Sequence, residues 1–229
     1  MLVEDNPLRS PPLDVVSQGT RRILRYLANL EYSERTSSLD LSALALEAVP
    51  LIVCRQTALT ELKLFRNRIP VLPIKLQRLT SLTRLVISDN RLVEIPNFLH
   101  RFSMLRGFHA DDNELTACPD TITALTGLDE LRLSGNFLDE VPNGISRLTG
   151  LLLLDLSRNR IAHLAPSIMA VFKVCEVLRL SDNHLERLPP EIERMSQVMR
   201  EPQLNRMRLP SLREKNPARP SPIQIERPI

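Results

Sequence analysis

The residues that could perform chemistry lie together near the middle of the sequence, where one histidine is followed by three acidic residues: His109, Asp111, Asp112 and Glu114. Imidazole and carboxylate groups bind metal ions and act as acids and bases in hydrolases. No second histidine recurs at an equivalent position nearby, and no Gly-rich phosphate-binding loop is present. We therefore expect no catalytic residue, no metal site and no cofactor, and we interpret these residues as a solvated acidic patch that attracts a basic partner.

The element that positions these residues is a repeat anchored on an asparagine. Successive asparagines are separated by 23, 23, 23, 23 and 24 residues, at Asn67, Asn90, Asn113, Asn136, Asn159 and Asn183. Each unit follows the pattern Leu-x-x-Leu-x-Leu-x-x-Asn-x-Leu and continues with a proline and an Ile-x-x-Leu pair. A fixed period of this length indicates stacked units that bury a continuous core between them.

The spacing of apolar residues within a unit predicts two short elements. Leu131 and Leu133 lie two apart, as on the buried face of a strand, whereas Ile145 and Leu148, after Pro142, lie three apart, as in one turn of a 3₁₀ or α-helix. The asparagine marks the bend between them, where its amide can satisfy buried backbone groups. We therefore assign all six asparagines to a structural ladder.

These motifs resemble those of the leucine-rich repeat family, in particular the intracellular 23-residue class found in Ras-associated scaffolds, over about residues 36 to 197. The resemblance implies an α/β leucine-rich repeat solenoid. A curved parallel sheet would form its concave face, and short helices or 3₁₀ turns would form its convex side. It also implies a small GTPase, a kinase or a phosphatase as the class of protein partner.

Composition limits the other functions. The 229 residues contain no long apolar run, no opening signal peptide and three cysteines, so we expect no membrane span and a reducing compartment, the cytoplasm or alternatively the nucleus. The formal charge of +3 comes from the C-terminal segment 198–229, which has seven Lys/Arg and three Glu. Because the repeats themselves lack a general basic face, we expect no nucleic-acid partner.

The ends of the chain depart from the repeat. Residues 1–12 are predicted to be disordered, and residues 13–35 to form a capping helix with Thr20 as its N-cap and Ile23, Leu24, Leu27 and Leu30 at helical spacing. Seven repeats then occupy residues 36–197, the first with Leu44 in place of the asparagine and the sixth with one inserted residue, placed at 164–166 or 171–174. We expect a helix at 190–200, a degenerate closing strand at 204–209 and a flexible basic tail, whose Pro-x-x-Pro motif at 217–220 is a weak docking signal.

Residues that alternate with the buried leucines should form columns on the outer face of the sheet, one residue per repeat. In repeats six and seven, Leu153 and Val177 fall in one column and are expected to touch, forming an exposed apolar spot bordered by charges. Because Ala110 replaces a large residue in repeat four, a thinner core filled by Phe108 is expected there. The predicted partner-binding residues are Leu153, Val177, Arg132, Asp155, Arg179, Phe65, Phe137, His109 and Asp111.

The sequence therefore predicts a non-catalytic protein-interaction module, such as a signalling scaffold or regulatory subunit, that binds a protein on its concave face. Two alternatives stay open. The chain could be an adaptor that brings a substrate to an enzyme, for example a ubiquitin ligase or a phosphatase. It could also be the recognition fragment of a larger enzyme, although both ends are expected to be ends of a finished solenoid. The sequence leaves the oligomeric state open.

Overall fold

The computed structural model describes residues 11–186 and the backbone of residues 207–208. One parallel sheet runs through it, with its strands in chain order. The strands are β1 Ser38–Asp40, β2 Glu61–Lys63, β3 Arg84–Val86, β4 Gly107–His109, β5 Glu130–Arg132, β6 Leu153–Asp155, β7 Val177–Arg179 and β8 Met207–Arg208. The leucine-rich repeat solenoid predicted from the sequence is thereby confirmed.

Each of the first seven strands is three residues long, and its middle residue, a leucine or Phe108, is buried. Its first and third residues point to the outer face of the sheet, because side chains alternate along a strand. Neighbouring strands pair one repeat apart, as in Leu131 with Leu154. β8 pairs with β7, with Met207 opposite Leu178, within the segment 204–209 predicted to close the sheet.

Short helical segments form the convex side of the array. Within residues 11–186, five are 3₁₀ helices, and four of these follow directly on a proline whose extended backbone starts the turn. They are Val53–Arg55, Ile74–Arg78, Asn97–Arg101, Asp120–Ala124 and Asn143–Arg147. In repeat six the segment is instead an α-helix, α3, at Ile168–Val174. Ile145 and Ile168 are still 23 residues apart, so the inserted residue falls inside α3, whose wider turn accommodates it.

The core lies between the sheet and these segments as one continuous apolar cluster along the described repeats. Phe108 and Ala110 are both fully buried on the inner face of repeat four. Phe108 occupies the position of Leu85 and Leu131 in the adjacent strands, so a larger side chain stands beside the smaller one. Repeat four therefore keeps a buried inner face although Ala110 is small.

The asparagines hold the bend after each strand. In the central repeat, Asn136 Oδ1 accepts a hydrogen bond from Leu115 N, and Asn136 Nδ2 donates to Ala110 O and Leu133 O, all at 3.0 Å. The residue before each asparagine is in the left-handed region, for example Asp112 with φ 52°. In repeat one, where Leu44 replaces the asparagine, Asn67 Oδ1 accepts from Leu44 N and Leu46 N. Each bend is thus fixed by an amide side chain that spans two repeats.

Two helices form the cap instead of the single helix predicted for residues 13–35: α1, Leu13–Val16, packs against α2, Thr20–Thr36, and α2 packs against β1. Two further details of the predicted cap are wrong. Gly19, with φ 88°, is the N-cap of α2, and Thr20 is its first helical residue. Leu24 and Leu27 point to solvent, 59% and 44% exposed, because Ile23 and Tyr26 are the residues that face the core.

The cap also provides hydrogen-bond donors for the carbonyl groups at the open edge of β1. Carbonyl groups of Asp40, Ser42 and Ala43 accept hydrogen bonds from the side chains of Asn29, Arg25 and Arg22 respectively. In the next repeat, the equivalent carbonyl groups of Lys63 and Phe65 accept from backbone N–H groups of the preceding repeat. Side chains of α2 therefore replace the backbone donors of a repeat that the array does not have, and they protect an edge that could otherwise pair with another chain.

Several predictions lie outside the described residues. These are the disorder of residues 1–10, the helix at 190–200 and the tail with its Pro-x-x-Pro motif. Pro11 and Pro12, at the end of the segment predicted to be disordered, are described, and Pro12 is the N-cap of α1.

Candidate functional site

The outer face of the sheet, here called the concave face, carries one side chain per repeat in each column. The first column contains Ser38, Glu61, Arg84, Gly107, Glu130, Leu153 and Val177, and the next contains Asp40, Lys63, Val86, His109, Arg132, Asp155 and Arg179. Strands spaced about 4.8 Å apart make this face roughly 30 Å long, which suits a protein partner.

A cluster of charges surrounds Glu130 at the centre of this face. Glu130 Oε2 lies 2.8 Å from His109 Nε2, 3.4 Å from Arg84 Nη1 and 3.8 Å from Arg132 Nη2. Arg84 reaches Glu130 from two repeats away across Gly107, and the guanidinium carbon of Arg84 lies 3.5 Å from where a Cβ of Gly107 would be, so a larger side chain would crowd this path. One carboxylate thus organises three cationic or potentially cationic side chains.

The same cluster sets the protonation of its members. Burial lowers the pKa of His109, and the guanidinium groups of Arg132 and Arg84 add to this effect against the opposing hydrogen bond to Glu130. Burial alone would raise the pKa of Glu130, but the His109 hydrogen bond and the two guanidinium groups outweigh it, so its pKa lies below the ordinary value. At neutral pH the cluster therefore contains a neutral imidazole and an ionised carboxylate.

The predicted solvated acidic patch is only partly right. Asp112 and Glu114 are exposed, and Asp112 forms an ion pair of 2.7 Å with Arg158. The prediction is wrong for Asp111, which is half-buried, accepts hydrogen bonds from Ser88 Oγ and Ser134 N of the two neighbouring repeats at 3.1 Å each, and has a pKa raised by burial. Among the described residues, no cluster of His, Cys, Asp or Glu is suited to hold a metal ion.

In the C-terminal half of the face, Leu153 and Val177 are direct neighbours on β6 and β7, and both are half-buried. Asp155 is only 6% exposed. Its carboxylate lies 2.9 Å from Arg179 Nη1 and accepts a hydrogen bond of 2.6 Å from Ser157 Oγ. Asp155 therefore anchors Arg179 from within the surface and presents little of its own charge to a partner.

Arg132 lies in the column beside this apolar pair and has no carboxylate at hydrogen-bonding distance. Asp155, its neighbour on the adjacent strand, is paired with Arg179, and the distance from Arg132 to Glu130 is long for a hydrogen-bonded ion pair. Its Nε atom is buried and has no hydrogen-bond partner among the described residues. The side chain as a whole is 37% exposed, so an acceptor supplied from outside can reach its terminal nitrogens, although not the buried Nε.

The two aromatic residues singled out from the sequence each lie next to an arginine. The guanidinium carbon of Arg160 lies 4.4 Å from the ring centre of Phe137, which is 41% exposed. Arg66 lies 5.9 Å from the ring centre of Phe65, which is half-buried. Both rings are on surfaces that a partner can reach, and each already has a cation–π neighbour.

Sequence reasoning missed the roles of Gly107 and Gly135. Gly135, with φ 65°, lies beneath the Asp112–Arg158 ion pair, and a Cβ there would collide with the Asp112 carboxylate. Both glycines stand between opposite charges placed one repeat before and one repeat after them in the same column. That pattern is visible in the sequence, and it could have identified both ion pairs.

The chain's three cysteines, Cys54, Cys118 and Cys175, are free thiols. Burial raises the pKa of Cys118 and of Cys175 to about 12 and also raises that of Cys54. They are therefore protonated, unreactive core residues at neutral pH. Within residues 11–186 and 207–208, no helix has the length and apolar character to cross a membrane.

No protein-family model matches this sequence, and no curated protein matches it. Among solved structures, it is similar to a leucine-rich repeat protein of Leptospira interrogans, with 26% identity and a TM-score of 0.58 over 71% of this chain and 46% of that chain. It is also similar to the leucine-rich repeat ectodomain of the plant membrane receptor kinase GASSHO1/SCHENGEN3 from Arabidopsis thaliana, solved in complex with CASPARIAN STRIP INTEGRITY FACTOR 2. That match has 28% identity and a TM-score of 0.59 over 70% of this chain and 19% of that chain.

The chain spans less than half the length of either of these structures. With the parallel sheet, the repeat spacing and the asparagine-held bends, these similarities show that the chain is a leucine-rich repeat protein. They support a protein-interaction module in general.

Proposed function

We propose that this protein is a non-catalytic, intracellular scaffold or regulatory subunit that binds another protein through the C-terminal half of its concave face. The observation on which this rests is the position of Arg132. Its side chain is 37% exposed, its Nη2 lies a long 3.8 Å from Glu130 Oε2, and it lies in the column beside the half-buried pair Leu153 and Val177. A partner carboxylate would pair with the terminal nitrogens of Arg132, while an adjacent apolar side chain would cover the pair.

Neighbouring charges orient such a partner. Arg179, fixed by Asp155, adds a second positive group. Glu130 repels acidic groups of a partner, so the acidic part of the partner would lie on the side of Leu153 and Val177. Phe65, Phe137, His109 and Asp111 form the outer parts of the proposed interface. The resemblance to Ras-associated scaffolds supports a small GTPase, a kinase or a phosphatase as the partner class, and the free thiols support the cytoplasm or nucleus.

The test is the double substitution Leu153→Asp and Val177→Asp in the full chain. A partner is first identified by affinity capture, and its Kd is then measured directly by isothermal titration calorimetry. We expect the double variant to bind about tenfold to a hundredfold more weakly, since charges would enter the centre of the interface.

The matched control is Leu152→Asp with Val174→Asp. These two residues are also apolar, are 46% and 40% exposed, and lie outside the outward positions of the strands. Circular dichroism must show that both double variants are folded. Equal affinity of the Leu153–Val177 variant and wild type would refute the proposed site, and equal losses in both variants would show that the binding surface lies elsewhere.

A further inference from the structure

The convex side carries a row of arginines that the concave site does not use. Arg55, Arg78 and Arg101 end the 3₁₀ segments of the first three repeats, are spaced 23 residues apart and are all exposed. Within the described part of the chain, none of the three side chains forms a hydrogen bond or an ion pair. Lys75 is three residues before Arg78 and therefore on the same side of a 3₁₀ helix. The row therefore forms no hydrogen bond or ion pair that would hold the described repeats together.

An apolar row runs beside the arginines. Leu51 and Ile74 occupy equivalent positions before the ends of the first two segments and are 57% and 62% exposed. Next to Ile74 is a groove of about 290 Å³ that is also lined by Pro96 and Phe98. The convex side of the first repeats thus combines exposed apolar side chains, a groove and a line of unpaired positive charge.

The apolar row ends in the second repeat and the arginine row in the third. At the position of Ile74, the third and fourth repeats have Asn97 and Asp120. At the position of Arg101, the fourth repeat has Ala124. Arg147 restores an arginine in repeat five, but there the apolar position is Asn143. The combination of both rows is therefore confined to the first two repeats, and Arg101 extends the basic row into the third. This makes it a local surface rather than a general property of the convex side.

The spacing of these rows matches a helix. Adjacent repeats are about 4.8 Å apart at the sheet and farther apart on the convex side of a curved array, while an α-helix advances 5.4 Å per turn. A helix lying along the array thus advances about one turn per repeat, so residues three or four apart meet equivalent positions of successive repeats. Carboxylates at that spacing would meet the three arginines, and a neighbouring apolar stripe would meet Leu51 and Ile74.

We propose that the convex side of the first three repeats binds an acidic amphipathic helix of a partner protein. This surface is separate from the concave site. Glu94 also lines the groove and would repel carboxylates, so the acidic stripe of the helix lies over the C-terminal ends of the 3₁₀ segments and its apolar stripe over Ile74. The basic groups form a narrow line near an acidic residue, which fits a helix better than the broad surface of a bilayer.

The probe is a synthetic helical peptide of about 15 residues, or about four turns, with glutamates every three to four positions and a leucine stripe beside them. Its binding to the full chain is measured by fluorescence anisotropy. We expect the triple variant Arg55→Gln, Arg78→Gln, Arg101→Gln to bind about tenfold more weakly, since it loses three partly desolvated ion pairs. A loss is also expected for Leu51→Ser with Ile74→Ser, which removes the apolar row.

Three controls separate this site from the alternatives. Arg147→Gln, an exposed arginine at the same position of repeat five, should bind the peptide as wild type does. A peptide of the same composition with scrambled order should bind weakly. The variant Leu153→Asp with Val177→Asp should bind the ordered peptide as wild type does. The test of the convex surface is therefore valid even if the proposed concave site is wrong.

No binding of the ordered peptide to wild type, or equal binding by the triple variant, would overturn the proposal. Equal binding of the scrambled peptide would reduce the surface to unspecific charge attraction and would also overturn it. Cosedimentation of the chain with phosphatidylserine vesicles tests whether the same surface binds a membrane. If the chain binds vesicles through these arginines and does not bind the ordered peptide, the surface recognises lipid and the helix proposal is wrong.

Discussion

The concave face and the convex side of this array use their arginines differently. On the concave face, Arg84 reaches Glu130 and Arg179 reaches Asp155, so the charges are largely satisfied within the sheet. On the convex side of the first three repeats, Arg55, Arg78 and Arg101 have no partner in the described residues. The reason is the order of charges within a column, because opposite signs in neighbouring repeats pair with each other, whereas like signs repel and remain available to an external partner.

The largest expected effect concerns the bend that joins the two sides. Asn136→Ala should lower the free energy of unfolding by about 1–3 kcal/mol, because the buried backbone groups of Leu115, Ala110 and Leu133 would lose their partner. Asn183→Ala is the matched variant near the end of the array, where the asparagine is only half-buried, and it should cost less. Urea denaturation measures both. Near-zero values for the two variants would mean that water replaces the amide and that the bend is not held by the ladder.

An intermediate effect on stability is expected for the paired charges of the concave face. Glu130→Gln should cost up to about 1 kcal/mol at pH 7, since the carboxylate serves His109 and Arg84 at a partly exposed site. Because the folded-state pKa of Glu130 is below its ordinary value of 4.5, its contribution is present above that pH and is lost as pH falls through the folded-state pKa. Urea denaturation from pH 7 to pH 3 should therefore show a shallower acid decline for the variant.

The control for this pH series is Glu114→Gln, which removes an exposed carboxylate that has no ion pair in the described part of the chain. It should leave stability and its pH dependence close to those of wild type. If both glutamine variants gave the same pH profile, Glu130 would not be a favourably paired group, and the contrast between the two sides would fail.

The smallest effect is expected on the convex side. Neutralising Arg55, Arg78 and Arg101 together should change the free energy of unfolding by no more than about 0.5 kcal/mol, because no hydrogen bond or ion pair within the described residues is lost. Thermal denaturation measured beside that of Glu130→Gln checks this. A larger loss from the convex triple variant would show that these arginines stabilise the fold, and it would remove the main argument for an external partner.

Much of the fold follows from the sequence because the asparagine spacing sets the repeat and the two-residue period of a strand decides which side chains share a column. The repeat pattern alone therefore assigns Leu153 and Val177 to one column, and Arg132 and Asp155 to the next. Column positions do not show how far a long side chain reaches. The burial of Asp155 beneath Arg179 depends on rotamers that the repeat pattern does not encode, whereas the span of Arg84 across Gly107 could have been inferred from the opposite charges on either side of that glycine.

The cap shows a second limit. The apolar residues of α2 fall on two faces, one with Ile23 and Tyr26 and one with Leu24 and Leu27. Hydrophobicity alone does not decide which of these faces packs against the core. Hydrogen bonding decides, since only one orientation brings Asn29 and Arg25 to the carbonyl groups of the first strand. The inserted residue of repeat six is a similar case, because the sequence allows two segments to contain it and only the helical geometry of α3 selects one of them.

The way in which α2 ends the array also bears on how such a protein changes in length. Asn29, Arg25 and Arg22 bond to main-chain carbonyl groups, and these groups have equivalents in the repeats that follow, whatever side chains those repeats carry. Duplication or loss of a whole interior repeat would leave these hydrogen bonds unchanged. The number of repeats, and with it the size of both binding surfaces, can therefore vary in evolution without requiring a new terminus each time.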